Sequence, residues 1–116
     1  MALVSALAVG AGGAVGALSR YAVGRAIEGR AIDTVLVNVA GSFLLGVTLG
    51  LGIDGPALLA VAVGFCGAFT TFSSFAVDTV RLAEDGAPGR AALNAAGTLV
   101  AALAAVVLGI EAAGLL

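Results

Sequence analysis

Twelve residues near the middle of the chain carry an unusual set of side chains for an apolar segment. Residues 64–75 read Gly-Phe-Cys-Gly-Ala-Phe-Thr-Thr-Phe-Ser-Ser-Phe, with four hydroxyls, four phenyl rings and two glycines. The hydroxyls offer O–H donors without formal charge, and the edge of a phenyl ring is weakly positive because of its quadrupole. Glycine weakens a helix and frees backbone carbonyls, which hydrocarbon tolerates only where protein or water covers them. Donors and ring edges suit an anion, whereas freed carbonyls suit a small cation.

The side chains of the familiar catalytic and metal sites are missing from the sequence. There is no histidine, Cys66 is the only cysteine, and no CxxC motif or cluster of acids occurs in any apolar segment. Zinc sites and covalent catalysis depend on such residues, so we do not expect an enzyme. A single cysteine cannot form an intrachain disulfide, and a net charge of −2 implies no nucleic-acid partner.

The composition of the chain indicates that this segment lies in a membrane. The chain has 116 residues, of which 61% are hydrophobic and 10% charged, and this is not the composition of an ordinary soluble domain. Four windows without charge are each long enough to cross a bilayer, and short polar connections separate them. We expect an all-α membrane protein with one domain over residues 1–116 and with its third helix broken near the middle. The four transmembrane helices are expected at about residues 1–27, 34–53, 56–80 and 91–113.

Helix two presents small and polar residues at a strict four-residue spacing, which places them roughly on one face. Its glycines are typical of close helix packing. The amide of Asn38 is different, because an amide in hydrocarbon is costly without partners. It either hydrogen-bonds across an interface or lines a pore, and the spacing does not decide between the two. The residues on this face are Asn38, Ser42, Gly46 and Gly50.

Three other features each have a structural and a functional interpretation. Arg20 lies near the end of helix one, where it either snorkels to the headgroups or concentrates anions at the mouth of a vestibule. Phe72 and Phe75 are three residues apart, a spacing that commonly reflects core packing but here lies beside hydroxyls. Asn94 and Thr98 are one turn apart, and they are the only polar residues deep enough in helix four to line a pathway.

These motifs resemble those of the CrcB/Fluc family of fluoride channels, and the match covers nearly the whole chain. Helix one carries Gly-Gly-x-x-Gly-x-x-x-Arg-Tyr at 12–21, and helix two carries Val-Asn-x-x-Gly-Ser-Phe at 37–43. Helix three carries Gly-Phe-Cys-Gly at 64–67 and Thr-Thr-Phe-Ser-Ser-Phe at 70–75. Each motif is weak alone, but three in order on so short a chain are specific. The resemblance implies a passive, fluoride-specific ion channel of the cell membrane that lowers cytoplasmic fluoride.

The resemblance also implies which residues meet the ion. In the family, paired phenylalanines of helix three flank fluoride with their ring edges, an asparagine of helix two lines the pore, and hydroxyl residues extend the polar path. Fluoride holds its water tightly, so a pore has to replace hydration with several neutral donors. The family often has a second hydroxyl on helix four, where this chain has Ala102. The matching pore positions are Asn38, Thr71, Phe72, Ser74, Phe75 and Thr98, and Arg20 matches the vestibule arginine.

A structural sodium ion and a second subunit follow from the same resemblance. Family members hold a sodium ion, which is not transported, at the centre of an antiparallel dual-topology dimer. The residues whose backbone carbonyls hold it match Gly67 and Thr70. Sodium favours hard oxygen ligands, and its charge makes the interior more hospitable to an anion. The expected partners are fluoride, membrane lipid and this second subunit.

The arginines bear on the identity of that second subunit. All five lie at or near loops one and three, which fall on the same side of a four-helix protein, and the chain has no lysine. The positive-inside rule therefore favours these loops in the cytoplasm and both termini outside. Because insertion in both orientations needs a weak bias, we favour a heterodimer with an oppositely oriented related subunit, while a homodimer stays open. The five residues are Arg20, Arg25, Arg30, Arg81 and Arg90.

Two other functions fit a four-helix chain of this length. A small multidrug exporter couples efflux to protons through a buried glutamate in helix one, whereas the first acid of this chain is Glu28, in the expected loop. The other possibility is an assembly subunit with no pore of its own.

Overall fold

The computed structural model describes residues 1–29 and 31–116, and its regular secondary structure there is helical. Arg30, one of the five arginines, lies outside the described residues. Helices α1, α2 and α5 cover Ala2–Ala26, Ile32–Gly50 and Pro88–Ala113. Helix α3 is a continuous helical stretch made of Gly55–Leu58, the π-helical Leu59–Cys66 and Gly67–Phe69, and α4 covers Phe72–Glu84.

Four helical segments of the described chain are long and apolar enough to cross a membrane. Their mean hydropathies lie between 1.7 and 2.1, and the third segment consists of α3 and α4 together. The expectation of four membrane-spanning helices is confirmed. The third segment ends at Glu84 rather than near residue 80, and the fourth begins at Pro88 rather than near residue 91. Proline suits a helix start because its missing N–H has no intrahelical acceptor there.

Helix α1 packs closely against the π-helical part of α3 through glycines. A Cβ atom on Gly12 would collide with the carbonyl of Ala60, and one on Gly16 would collide with the carbonyl of Phe65. On the other side of the same contact, a Cβ on Gly64 would lie 2.5 Å from the Val9 carbonyl oxygen. Small residues let two backbones approach in this way, so these glycines serve helix packing.

Helices α2 and α5 form the second close pair. A Cβ atom on Gly46 would collide with the carbonyl of Val106, and one on Gly50 would lie 2.7 Å from the Cβ of Ala113. The structural interpretation of these two glycines of helix two is therefore confirmed. Both glycines lie in the C-terminal half of α2 and face α5, whereas Asn38 lies in the N-terminal half of α2.

The third segment is interrupted between α3 and α4. Thr70 and Thr71 have extended backbones, with φ and ψ of −85° and 164° and of −151° and 125°. The hydroxyl oxygen of Thr71 caps α4 by accepting the N–H of Ser74 at 3.1 Å. The break predicted near the middle of this helix is present at these two threonines.

Glycine does not cause this break, contrary to our expectation. Gly67 has helical φ and ψ of −61° and −36°, and the chain continues as helix through Phe69. Gly64 also lies within α3 and is buried against α1. The break begins three residues after Gly67 because the Thr71 N–H donates to a side chain of α2 and not to the Gly67 carbonyl, as it would in a continuous helix.

Candidate functional site

The side chain of α2 that binds the Thr71 N–H is that of Asn38. Its Nδ2 donates to the Thr71 carbonyl at 2.9 Å, and its Oδ1 accepts the Thr71 N–H at 2.8 Å. Because one amide meets both backbone groups of one residue, the donor and acceptor ends of the amide are determined. Asn38 thus satisfies the backbone that the break leaves exposed, and it joins α2 to the interrupted segment.

Two hydrogen bonds at the break release two backbone carbonyls. In a continuous α-helix the N–H groups of Thr71 and Ser74 would donate to the carbonyls of Gly67 and Thr70. Here the Thr71 N–H donates to Asn38 instead, and the Ser74 N–H donates to the Thr71 hydroxyl. The carbonyls of Gly67 and Thr70 therefore lose the partners that a helix would give them. The break opens the other carbonyls at the end of α3 in the same way, so the two that the family resemblance singles out are among those released.

A groove with a volume of about 430 Å³ opens beside the break. It brings together residues of α2, α3, α4 and α5, and none of the described residues that line it is acidic or basic. Five of the six expected pore residues and both expected carbonyl residues line this groove. They are Asn38, Gly67, Thr70, Thr71, Phe72, Phe75 and Thr98.

The two phenylalanines of the groove differ from the other aromatic pair of the chain. The ring centroids of Phe72 and Phe75 are 5.8 Å apart with an interplanar angle of 50°, and the Phe72 side chain is 78% exposed. The rings of Phe65 and Phe69 stack at 5.2 Å and 24°, and neither lines the groove. The first pair presents rings to open space beside the hydroxyls, whereas the second pair packs on itself.

Two expected site residues do not line the groove. Ser74 is used through its backbone N–H, which is capped by Thr71, and its side chain is not part of the lining. The Nη1 atom of Arg20 lies 3.4 Å from Oδ2 of Asp33, and each side chain is 23% exposed. This ion pair ties the end of α1 to the start of α2. It offsets part of the positive charge that Arg20 could offer to an anion.

The groove also contains residues that the pore assignment did not include. Ser42 lines it one turn after Asn38, so the four-residue spacing on α2 was the signal that could have identified it. Ala102 lines it one turn after Thr98, which shows that the absent second hydroxyl leaves an apolar surface there. Thr98 additionally borders a second groove, of about 660 Å³, together with Asn94.

The chemistry of the groove is that of neutral donors and freed carbonyls. No three residues among His, Cys, Asp and Glu come together in the described ranges, so carboxylates and imidazoles do not form a metal site there. An anion in the groove would meet amide and hydroxyl donors and ring edges. A cation would have to be held by backbone carbonyls, for which Gly67 and Thr70 are suited.

Comparison with known proteins places these features in a family. A family model described as CrcB-like protein, Camphor Resistance (CrcB), matches residues 7–110. The chain is 67% identical over 110 residues to "Fluoride-specific ion channel FluC 2" of Natronomonas pharaonis, and the aligned region covers 95% of each chain. It is 52% identical over 108 residues to the protein of the same name from Haloarcula marismortui, covering 91% of each. With "Fluoride-specific ion channel FluC" of Thermus thermophilus it shares 41% identity over 119 residues, again 95% of each chain.

Proposed function

The chain belongs to the CrcB/Fluc family and is a multi-pass membrane protein, and from this premise we propose that it is a fluoride-specific ion channel. It lets fluoride leave the cell passively and so lowers the cytoplasmic concentration. The observation that carries the proposal is the groove at the helix break, where neutral donors and two phenyl rings meet and none of the described lining residues is acidic or basic. Such a lining replaces the hydration of a small anion without trapping it by a full charge.

Asn38 combines two tasks in this proposal. The Nδ2 group carries two hydrogens, and the bond to Thr71 uses one of them. The other is available to an ion in the groove that Asn38 lines. The bonds to Thr71 hold the amide in one orientation, which limits the cost of reorganisation when an ion arrives.

Restoration of growth in fluoride tests the function. A bacterial host without its own fluoride export should grow in fluoride-containing medium when it expresses this chain together with the related subunit proposed below. Growth in medium that contains toxic cations, without growth in medium that contains fluoride, would support a proton-coupled exporter. Helix α1 argues against such an exporter because Ala2–Ala26 contains no acidic residue. Failure to restore growth, with both subunits inserted in the membrane, would support an assembly subunit that has no pore of its own.

We also propose a structural sodium ion held by the carbonyls of Gly67 and Thr70 and by the same pair from a second subunit. The release of these two carbonyls from helical hydrogen bonds supports it. So does the open space at Gly67, where an added Cβ would meet no atom of the chain within 4 Å. The ion would supply a fixed positive charge near the anion path, and it is not itself transported.

Sodium dependence of assembly is the corresponding prediction. The melting temperature and dimer fraction of the wild-type protein in detergent should fall when potassium replaces sodium. Gly67→Ala should lose this dependence because the added methyl group enters the space between subunits. A single subunit tolerates that change, since Gly67 is helical and open. Gly10→Ala is the matched control, because Gly10 is also helical and open but lies on α1. Identical melting of the wild type in both salts would contradict the sodium site.

The partner subunit is proposed to lie antiparallel across the groove. The lining includes polar groups and a ring that is 78% exposed, and lipid cannot satisfy such polar groups. The four segments alternate in direction through a membrane, so the connections after α1 and after α4 fall on one side. We propose that their arginines fix that side in the cytoplasm and that a related subunit of opposite bias completes the dimer.

A cysteine-accessibility map tests the orientation. With Cys66 replaced by alanine and Leu116→Cys as reporter, the chain expressed alone should be labelled at its C-terminus only from outside the cell. The wild-type cysteine needs replacing although it is buried, so that the reporter carries all the signal. Equal labelling from both sides, together with robust fluoride flux, would show a dual-topology homodimer and contradict the heterodimer.

A further inference from the structure

Helix α4 carries both groove phenylalanines, and asparagines from two neighbouring helices hold it on either side of them. Asn38 of α2 binds the backbone of Thr71, one residue before Phe72. Asn94 of α5 donates from Nδ2 to the hydroxyl oxygen of Thr79 at 2.9 Å. Thr79 lies one turn after Phe75, so the two contacts bracket the rings.

Thr79 connects Asn94 to the backbone of Phe75 through a second hydrogen bond. Its hydroxyl donates to the Phe75 carbonyl at 2.8 Å while the same oxygen accepts from Asn94. A threonine that donates to the carbonyl four residues earlier is common and needs no functional explanation. The amide that reaches its oxygen from another helix is a tertiary contact, and it joins α5 to the turn of α4 that bears Phe75.

The helix break gives this contact its importance. Helix α4 has 13 residues and does not continue α3 as a helix, because Thr70 and Thr71 are extended. A short helix attached through extended residues can rotate about its axis unless its side chains bind the helices around it. Asn38 holds the chain just before Phe72, and the Asn94–Thr79 bond opposes such rotation one turn after Phe75.

We propose that Asn94 and Thr79 are positioning residues that aim the ring edge of Phe75 into the groove, an inference that rests on the proposed fluoride function. Neither residue lines the groove of about 430 Å³ that holds Phe75. They act on the ion through the orientation of Phe75 and not by contact with it. The inference extends the functional set from the groove to a hydrogen bond between α4 and α5.

A threonine-to-valine comparison tests the inference. Thr79→Val keeps the shape of the side chain and removes the hydroxyl, and it should lower fluoride flux about three- to tenfold, in keeping with the size of hydrogen bonds between membrane helices. It should also lower the fluoride-to-chloride permeability ratio. Thr79→Ser should restore both quantities. Thr48→Val is the matched control, because the Thr48 hydroxyl makes the same bond within its own helix, to Leu44, and lies away from the groove.

Double substitution separates positioning from direct contact with the ion. Asn94→Leu should lower flux and permeability ratio as much as Thr79→Val, and the double variant should show no further loss, since all three remove the bond between Asn94 and Thr79. Thr79→Val also removes the bond to the Phe75 carbonyl, and the loss of such a bond within a helix is what the Thr48→Val control measures. Equal behaviour of Thr79→Val and Thr48→Val in a conducting protein would overturn the inference. A loss with Asn94→Leu but not with Thr79→Val would also overturn it, and would indicate that Asn94 meets the ion. A wild-type protein without fluoride flux would instead overturn the proposed function.

Discussion

Replacing Phe75 by isoleucine is expected to reduce fluoride flux about tenfold or more while the protein stays folded and assembled. Isoleucine keeps most of the apolar volume and removes the positive ring edge. Phe75 lines the groove and its ring centroid is 5.8 Å from that of Phe72, so the substitution removes one of the two rings that border the proposed ion path. Flux is measured in liposomes, and assembly is measured by the elution volume in detergent.

Phe65→Ile is the matched control for this prediction. It makes the same chemical change in the aromatic pair that stacks at 5.2 Å outside the groove. Its flux per folded protein should stay within about twofold of the wild type, because only packing is altered. Normal flux in Phe75→Ile would show that the groove rings are packing residues and would remove the aromatic part of the proposed pathway.

Replacing Asn38 by leucine is expected to abolish flux and to lower stability. Leucine has a similar size but cannot replace the bonds to the N–H and the carbonyl of Thr71, at 2.8 Å and 2.9 Å. Leaving each of these backbone groups unpaired in an apolar setting costs about 1–3 kcal/mol. The chain can recover part of this cost if the Thr71 N–H returns to the Gly67 carbonyl, and that would close the break.

Thermal melting and flux are measured together for this variant. Asn38→Asp is the informative comparison, because it keeps the acceptor for the Thr71 N–H and loses only the donor. Its melting temperature should lie between those of Asn38→Leu and the wild type, while its negative charge should still prevent anion flux. Wild-type melting and flux in Asn38→Leu would show that the break does not depend on this side chain.

Hydropathy and residue types were sufficient to predict the four helices and an interruption in the third. Hydrocarbon permits few structures other than helices, so a sufficiently long apolar window in the sequence predicts a transmembrane helix. The position of the break was not predictable from local sequence. It depends on a bond between Asn38 and Thr71, which are 33 residues apart, whereas glycine, the local signal, is helical at Gly67. The π-helical Leu59–Cys66 had no signal in hydropathy at all.

The residues of the candidate site were expected from the family resemblance, whereas residue type and helical spacing alone left the role of Asn38 open. Asn38, Thr71 and Phe75 lie together because their helices meet at the break. Arg20 shows the limit of this reasoning, since its partner Asp33 is 13 residues away across a turn and changes what its charge can do. A single sequence did not indicate whether that arginine faces headgroups, an anion or a carboxylate.

Fluoride efflux from liposomes tests the central proposal most directly. Purified protein is reconstituted in vesicles loaded with potassium fluoride or potassium chloride, and valinomycin is added to let potassium follow the anion. The groove of neutral donors and ring edges predicts rapid fluoride efflux that requires valinomycin, with no comparable chloride efflux and no need for a proton gradient. Equal efflux of the two anions, dependence on a proton gradient, or no fluoride efflux from a correctly assembled protein would contradict it.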